Sequence, residues 1–128
     1  MIRFEVEADS LIKELERRAN ALDGGSQAHV ARYGAFQKDL TQQLAAVDTG
    51  FMRDHVETRI DDDGLGFESG WWEEDFIAAG EPFYPPHVEY GTINSPAQPA
   101  IEPAWSELRP HFIADGKELI RRTIVEGR

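Results

Sequence analysis

Four histidines are the first candidates for chemistry: His29, His55, His87 and His111. No two of them stand at the helical spacing of a zinc-binding pair, and the chain has no cysteine, so thiolate sites and disulfides are excluded. His87 lies near Glu89 and Glu81, where an acid–base pair or a metal ligand set is conceivable. A hydrogen-bonded loop is the simpler expectation there. Asp48-Thr49-Gly50 has the letters of an aspartic-protease triplet, but that chemistry needs two facing copies preceded by apolar strands. Here the triplet follows a helical pattern, so it reads as a cap between helix and sheet, with Asp48 accepting from free amides and Gly50 allowing a tight approach. The glycines Gly64 and Gly66 fit the end of a hairpin turn better than a phosphate cradle. No catalytic, metal or cofactor role is expected.

The elements around these residues follow from periodicity. Ile2, Phe4, Val6 and Ala8 alternate with polar residues, which predicts a half-buried strand. Asp9 or Ser10 is then a candidate cap for a helix carrying Ile12, Leu15, Ala19 and Leu22, ended by Asp23-Gly24-Gly25. Ser26 is a candidate cap for a second helix with the stripe Tyr33, Phe36, Leu40, Leu44 and Val47, weakened locally by Gly34. His55 to Asp61 and Leu65 to Trp72 read as two strands joined by the turn Asp61-Asp62-Asp63-Gly64. Glu73 to Gly80 fits either a short helix or an irregular crossing. Prolines crowd the stretch from Pro82 to Pro99, which predicts loop with a short turn of helix. Pro103 suits the first turn of a terminal helix, and Pro110 predicts a kink or break within it. The expected fold is α+β: a small antiparallel sheet with a β-hairpin, two N-terminal helices and a C-terminal helix packed on it, as one domain over residues 1–128.

The chain has 128 residues, enough for a core without staples. Its 24 acidic and 13 basic residues give a net charge of -11. Such a surface repels phosphate backbones, so ordinary nucleic-acid binding is disfavoured. It suits solubility, or a surface that nucleic acid passes without adhering. There is no apolar run of signal-peptide or membrane-spanning length, which predicts a protein kept in the cytosol unless a larger particle carries it. Trp71, Trp72, Phe76, Phe83, Tyr84 and Tyr90 form the densest aromatic run, suited to core packing and to interface anchoring.

Three segments, in order, resemble the tail-completion family of long-tailed bacteriophages, whose members are minor tail or head–tail joining proteins. The first is Val47-Asp48-Thr49-Gly50-Phe51-Met52-Arg53, similar to a V-D-T-G pattern followed by any residue, a leucine-like residue and arginine, which Met52 and Arg53 fit. The second is Tyr84-Pro85-Pro86-His87-Val88-Glu89-Tyr90-Gly91-Thr92, with Pro85 where the family has alanine. The third is Pro96-Ala97-Gln98-Pro99-Ala100-Ile101-Glu102-Pro103-Ala104, with Ala100 where phenylalanine is usual and Glu102 where arginine is usual.

The resemblance implies a structural virion protein that joins or completes the head–tail (neck) interface as a ring subunit. Its partners would be connector, tail-tube or terminator proteins and further copies of itself. Assembly would occur in the host cytoplasm, with DNA passing through and no membrane involved. Rings need heterologous contacts, and the aromatic hairpin with Trp71 and Trp72 and the loop from Tyr84 to Pro103 are the expected patches. Alone, the subunit can be monomeric. The alternative is a small acidic protein-binding module or inhibitor, such as a DNA mimic, sharing the fold.

Overall fold

The computed structural model describes residues 2–45 and 50–127. Its spine is one helix, α1, from Ile2 to Leu44, about 65 Å long at 1.5 Å per residue. Two sequence expectations fail here. The alternating segment at the start is helical, as are Asp9, Ser10 and Ser26, which therefore cap nothing. From Ile2 to Leu22 the sequence holds neither glycine nor proline and is rich in Glu, Leu, Ala and Arg, all good helix formers. A strand would also need a ladder partner, and the two strands described pair with each other.

The second failure is the break at Asp23-Gly24-Gly25: the expected two helices are one. Gly25 marks a close approach instead of an end. A Cβ there would lie 2.8 Å from Leu119 Cδ1. Gly34 plays the same part higher on α1, where a Cβ would lie 2.9 Å from Thr58 Cγ2 and 3.3 Å from Ile60 Cδ1. Each glycine costs helix propensity of about 1 kcal/mol relative to alanine, and the neighbour seated on it offsets that cost.

After Gly50 the chain makes a single turn, α2 (Phe51–Asp54), then the hairpin of β1 (Glu57–Ile60) and β2 (Phe67–Gly70). The strands are antiparallel, with Glu57 opposite Gly70 and Ile60 opposite Phe67. The turn forms where Asp61 to Gly64 predicts it. Asp61 N–H donates to Gly66 O, Gly64 N–H to Asp61 O, and Gly64 takes φ +73°. Thr58 Oγ1 donates to the Gly34 carbonyl at 3.0 Å, pinning the hairpin to α1.

Next come α3 (Glu73–Ala78) and α4 (Pro85–Tyr90). The ambiguous stretch after Trp72 is thus helical, and the proline-rich stretch contains the expected short helix. The last long helix, α5 (Ile101–Ile120), runs into a π-helical turn at Arg121–Val125. Pro103 sits in its first turn. Pro110 does not break it: proline removes one amide donor, while α5 stays packed along α1 on both sides of that point.

The helix α5 lies antiparallel on α1. Gln37 Nε2 donates to Ile101 O, His29 Nε2 to Phe112 O, and Tyr33 O–H to Asp115 Oδ2. Arg18 donates to Ile124 O and Arg17 to Gly127 O at the far end. Burial and the Asp115 carboxylate together hold the Tyr33 hydroxyl above its ordinary pKa. The buried set between these layers includes Val30, Tyr33, Gln37, Thr41, Val56, Ala100 and Ala104. The architecture is α+β, dominated by helix.

Candidate functional site: the loop from Tyr84 to Pro103

Phe76 is fully buried and gathers Phe51, Phe83 and Tyr84, with ring centroids 5.0, 5.2 and 5.6 Å away. This cluster fixes the point where the loop leaves the body. Pro85, buried at the first position of α4, needs no amide partner there.

The loop then closes on itself. Gln98 N–H donates to Val88 O at 2.7 Å. Glu89 Oε1 accepts from Ala100 N–H at 2.7 Å and from Ile101 N–H at 3.3 Å. These are free amides at the start of α5, where the helix dipole favours an anion. Glu89 therefore caps a helix that begins twelve residues later, at Ile101. Gly91 takes φ +79°, and a Cβ on it would lie 2.8 Å from Ala97 N and 3.2 Å from Ser95 O. Thr92 finishes the turn: its N–H donates to Ser95 O at 2.8 Å, and its Oγ1 accepts from Ser95 N–H at 3.1 Å. The second and third resembling segments thus fold into one hydrogen-bonded unit.

The outer side of that unit is bare. Tyr90 is 84% exposed and Ile93 fully so. Pro96, Gln98, Pro99 and Pro103 also face solvent, whereas Ala100 is buried under the Glu89 cap. The small residue at 100 fits this enclosed position. Glu102 is exposed on the first turn of α5, where an acidic residue suits the dipole.

The other sequence candidates lie elsewhere. Val47, Asp48 and Thr49 fall outside the described residues, so the expected Asp48 cap does too. Gly50 is buried at φ +81° and opens α2. Arg53 donates to Asp54, and its carbonyl accepts from Gln42. Trp71 Nε1 donates to Met52 O at 2.8 Å, tying the hairpin's exit to α2. Trp72 lies under the Arg59 guanidinium, 3.9 Å from the ring centroid, and Arg59 also reaches Glu57 and Glu74. Both tryptophans are engaged within the fold and only partly exposed.

His87 is exposed on α4, and Glu89 is committed to α5. Among the described residues no group of three His, Asp or Glu side chains stands together as a metal site, and no helix is long and apolar enough to cross a membrane.

Sequence reading missed a groove. Val30 and Gln37 of α1, Leu65 and Phe67 of the hairpin, and Ile101, Trp105 and Phe112 of α5 enclose about 520 Å³. Trp105 meets Phe67 and Phe112 edge-on or tilted, at 6.0 and 5.6 Å between centroids. Three elements far apart in sequence build it, and periodicity within one element could signal only that Trp105 shares the apolar face of α5 with Phe112. No protein-family profile, curated protein or solved structure matches the chain.

Proposed function

We propose that the chain is a structural subunit of a tailed-phage neck, working by assembly where a head connector meets a tail tube. The reading rests on the sequence resemblance. The structural observation that carries it is the closure of two resembling segments through Glu89. The residues that make the resemblance, Val88, Glu89, Gly91, Thr92 and Gln98, are those that lock the loop. A loop ordered before binding loses little entropy on docking. It holds Tyr90 and Ile93 outward as a pair of apolar anchors for a partner ring. In a ring of such subunits the net charge of -11 per chain would repel DNA from the walls of the channel. The protein would then belong to the virion, assembled in the host cytoplasm.

The second reading is an acidic binding module or inhibitor. It is favoured by the same charge, concentrated at the exposed turn Asp61-Asp62-Asp63.

Co-expression with connector and tail-tube proteins of a long-tailed phage, followed by electron microscopy of the purified assemblies, tests the choice. The neck reading expects density for the chain between connector and tube, lost in the variant Tyr90→Ala/Ile93→Asp while its melting temperature stays within a few degrees. A soluble one-to-one complex with a single non-virion protein, and no association with connector or tube, would select the inhibitor.

A further inference from the structure

The tip of the hairpin and a hollow beside the end of α5 lie on opposite sides of α1 and differ in charge. Gln27 Nε2 donates to Asp63 O, and a Cβ on Gly64 would lie 2.9 Å from Gln27 Cγ, so the turn from Asp61 to Gly64 stands over Gln27. Asp61, Asp62 and Asp63 are all exposed there. Asp63 accepts from the Leu65 N–H, while Asp62 meets no partner among the described residues. Asp23, exposed one turn before Gln27, adds to the negative charge of that side.

The hollow is bounded by Gly25, Ala28, His29 and Arg32 of α1 and by Leu119 and Arg122, and holds about 230 Å³. At 3.6 residues per turn, Arg32 stands about 140° and Gly25 about 160° around α1 from Gln27. Other arginines meet carboxylates close by, as Arg121 meets Glu118 and Glu126. Arg122, on the π turn, meets none among the described residues. Arg32 shares Asp115 with Tyr33, and its own contact there is 3.4 Å long. The hollow therefore keeps a cation in excess, in a chain of net charge -11.

We propose that the hollow at Arg32 and Arg122 receives the Asp62 turn of a second copy, so that the chains associate head to tail through unlike charges. The turn cannot reach the hollow of its own chain. Gln27 and the bond from Thr58 to the Gly34 carbonyl hold the hairpin on the far side of α1. Charge complementarity selects the occupant: guanidinium groups bind a carboxylate through paired N–H donors, and the chain carries its own exposed carboxylates on a hairpin tip. Repulsion between two acidic bodies fades over a screening length of about 8 Å at physiological salt. Guanidinium and carboxylate meet within about 4 Å, so the local pair holds where the bodies at large repel.

Hollow and turn are different patches, so the contact is heterologous and generates a closed ring or an open filament. This deepens the ring-subunit reading and rests on it only for closure. The contact itself is tested without phage components.

Light scattering over protein concentration, at about 0.15 M salt, is run on the full chain and on its variants Asp62→Lys and Arg122→Glu. Both changes are at exposed positions, and circular dichroism confirms folding. The expected result is concentration-dependent association of the wild type and about tenfold weaker association of each variant. An equimolar mixture of the two variants should recover association, because the new lysine then faces the new glutamate. Asp62→Lys makes the chain less acidic, so general repulsion alone predicts tighter association for it. Raising the salt to about 1 M, where the screening length falls to about 3 Å, should weaken the wild-type contact, whereas an apolar contact through Tyr90 and Ile93 would persist. A wild type that stays monomeric at every concentration would overturn the contact. So would association that strengthens in Asp62→Lys, a mixture no tighter than either variant alone, or association that persists in 1 M salt. A chain that passes the mixture test yet ignores connector and tube would refute only the neck reading.

Discussion

The loop from Tyr84 to Pro103 and the arm of α1 from Ala8 to Leu15 are both at the surface, but they differ in how their chemistry is committed. The loop directs its polar groups inward: Glu89 to the start of α5, Val88 to Gln98, Thr92 to Ser95. Its backbone is held by hydrogen bonds, and Tyr90 and Ile93 are left as large apolar projections. The arm satisfies its backbone within the helix and leaves a row of leucine and isoleucine side chains bare. The first pattern suits a rigid face offered to a partner of different shape. A surface position rich in motif residues can thus be internal in its energetics, while a plain stretch of helix leaves its apolar side chains uncovered.

The sharpest way to break the comparison is at Gly91. Gly91→Val would force a Cβ into the Ala97 amide at a positive φ, and the neighbour there is backbone that cannot rotate away. A loss of about 3 kcal/mol is expected, read as a lower urea midpoint. An unchanged midpoint would mean that the loop is not locked as described.

Glu89→Ala removes the shared acceptor of Ala100 and Ile101 and should cost about 1–2 kcal/mol. Amide exchange at those two residues should quicken first. Glu89→Gln keeps a carbonyl oxygen and should recover part of the loss, less the charge–dipole share. Equal losses for both variants would argue for a contact through charge alone.

The glycines of α1 give a smaller pair of effects with opposite signs. A Cβ at Gly24 would meet nothing within 4 Å, so Gly24→Ala should stabilise by about 0.5–1 kcal/mol. Gly34→Ala pushes on Thr58, which is itself bonded to the Gly34 carbonyl, and should destabilise by about 1 kcal/mol despite its better propensity. Thermal melts of the two variants should move in opposite directions.

The smallest expected effect is confined to alkaline pH. The folded-state pKa of Tyr33 is raised by burial and then by Asp115. Its contribution to stability is therefore complete below the ordinary tyrosine pKa near 10 and is lost as pH rises through the folded value. Tyr33→Phe should flatten that part of the stability profile and lower the neutral plateau only by its hydrogen bond to Asp115, about 0.5–1 kcal/mol.

Much of the middle and end of the fold was legible in the sequence. The turn Asp61-Asp62-Asp63-Gly64, the alternation on either side of it, Pro85 and Pro103 each act through local backbone preference, and local preference decides there. The helical stripes on either side of Asp23-Gly24-Gly25 were legible too, but the break between them was misread because the deciding facts there are not local. Gly25 and Gly34 read as helix weakeners until Leu119, Thr58 and Ile60 are seen against them. At the site, the spacing of Glu89 marked a residue directed away from Val88 and Tyr90. That it caps a helix twelve residues on depends on the path of the intervening loop. The groove was hidden because its walls come from three distant elements.

The most direct test of this division between a locked loop and an uncovered ridge is hydrogen–deuterium exchange on the full chain. The account predicts slow exchange at the amides of Gln98, Ala100 and Ile101, which the loop holds, and faster exchange in α1 from Leu11 to Leu15 than from Val30 to Gln37, where α5 covers it. Exchange at Gln98, Ala100 and Ile101 as fast as in the arm would contradict it.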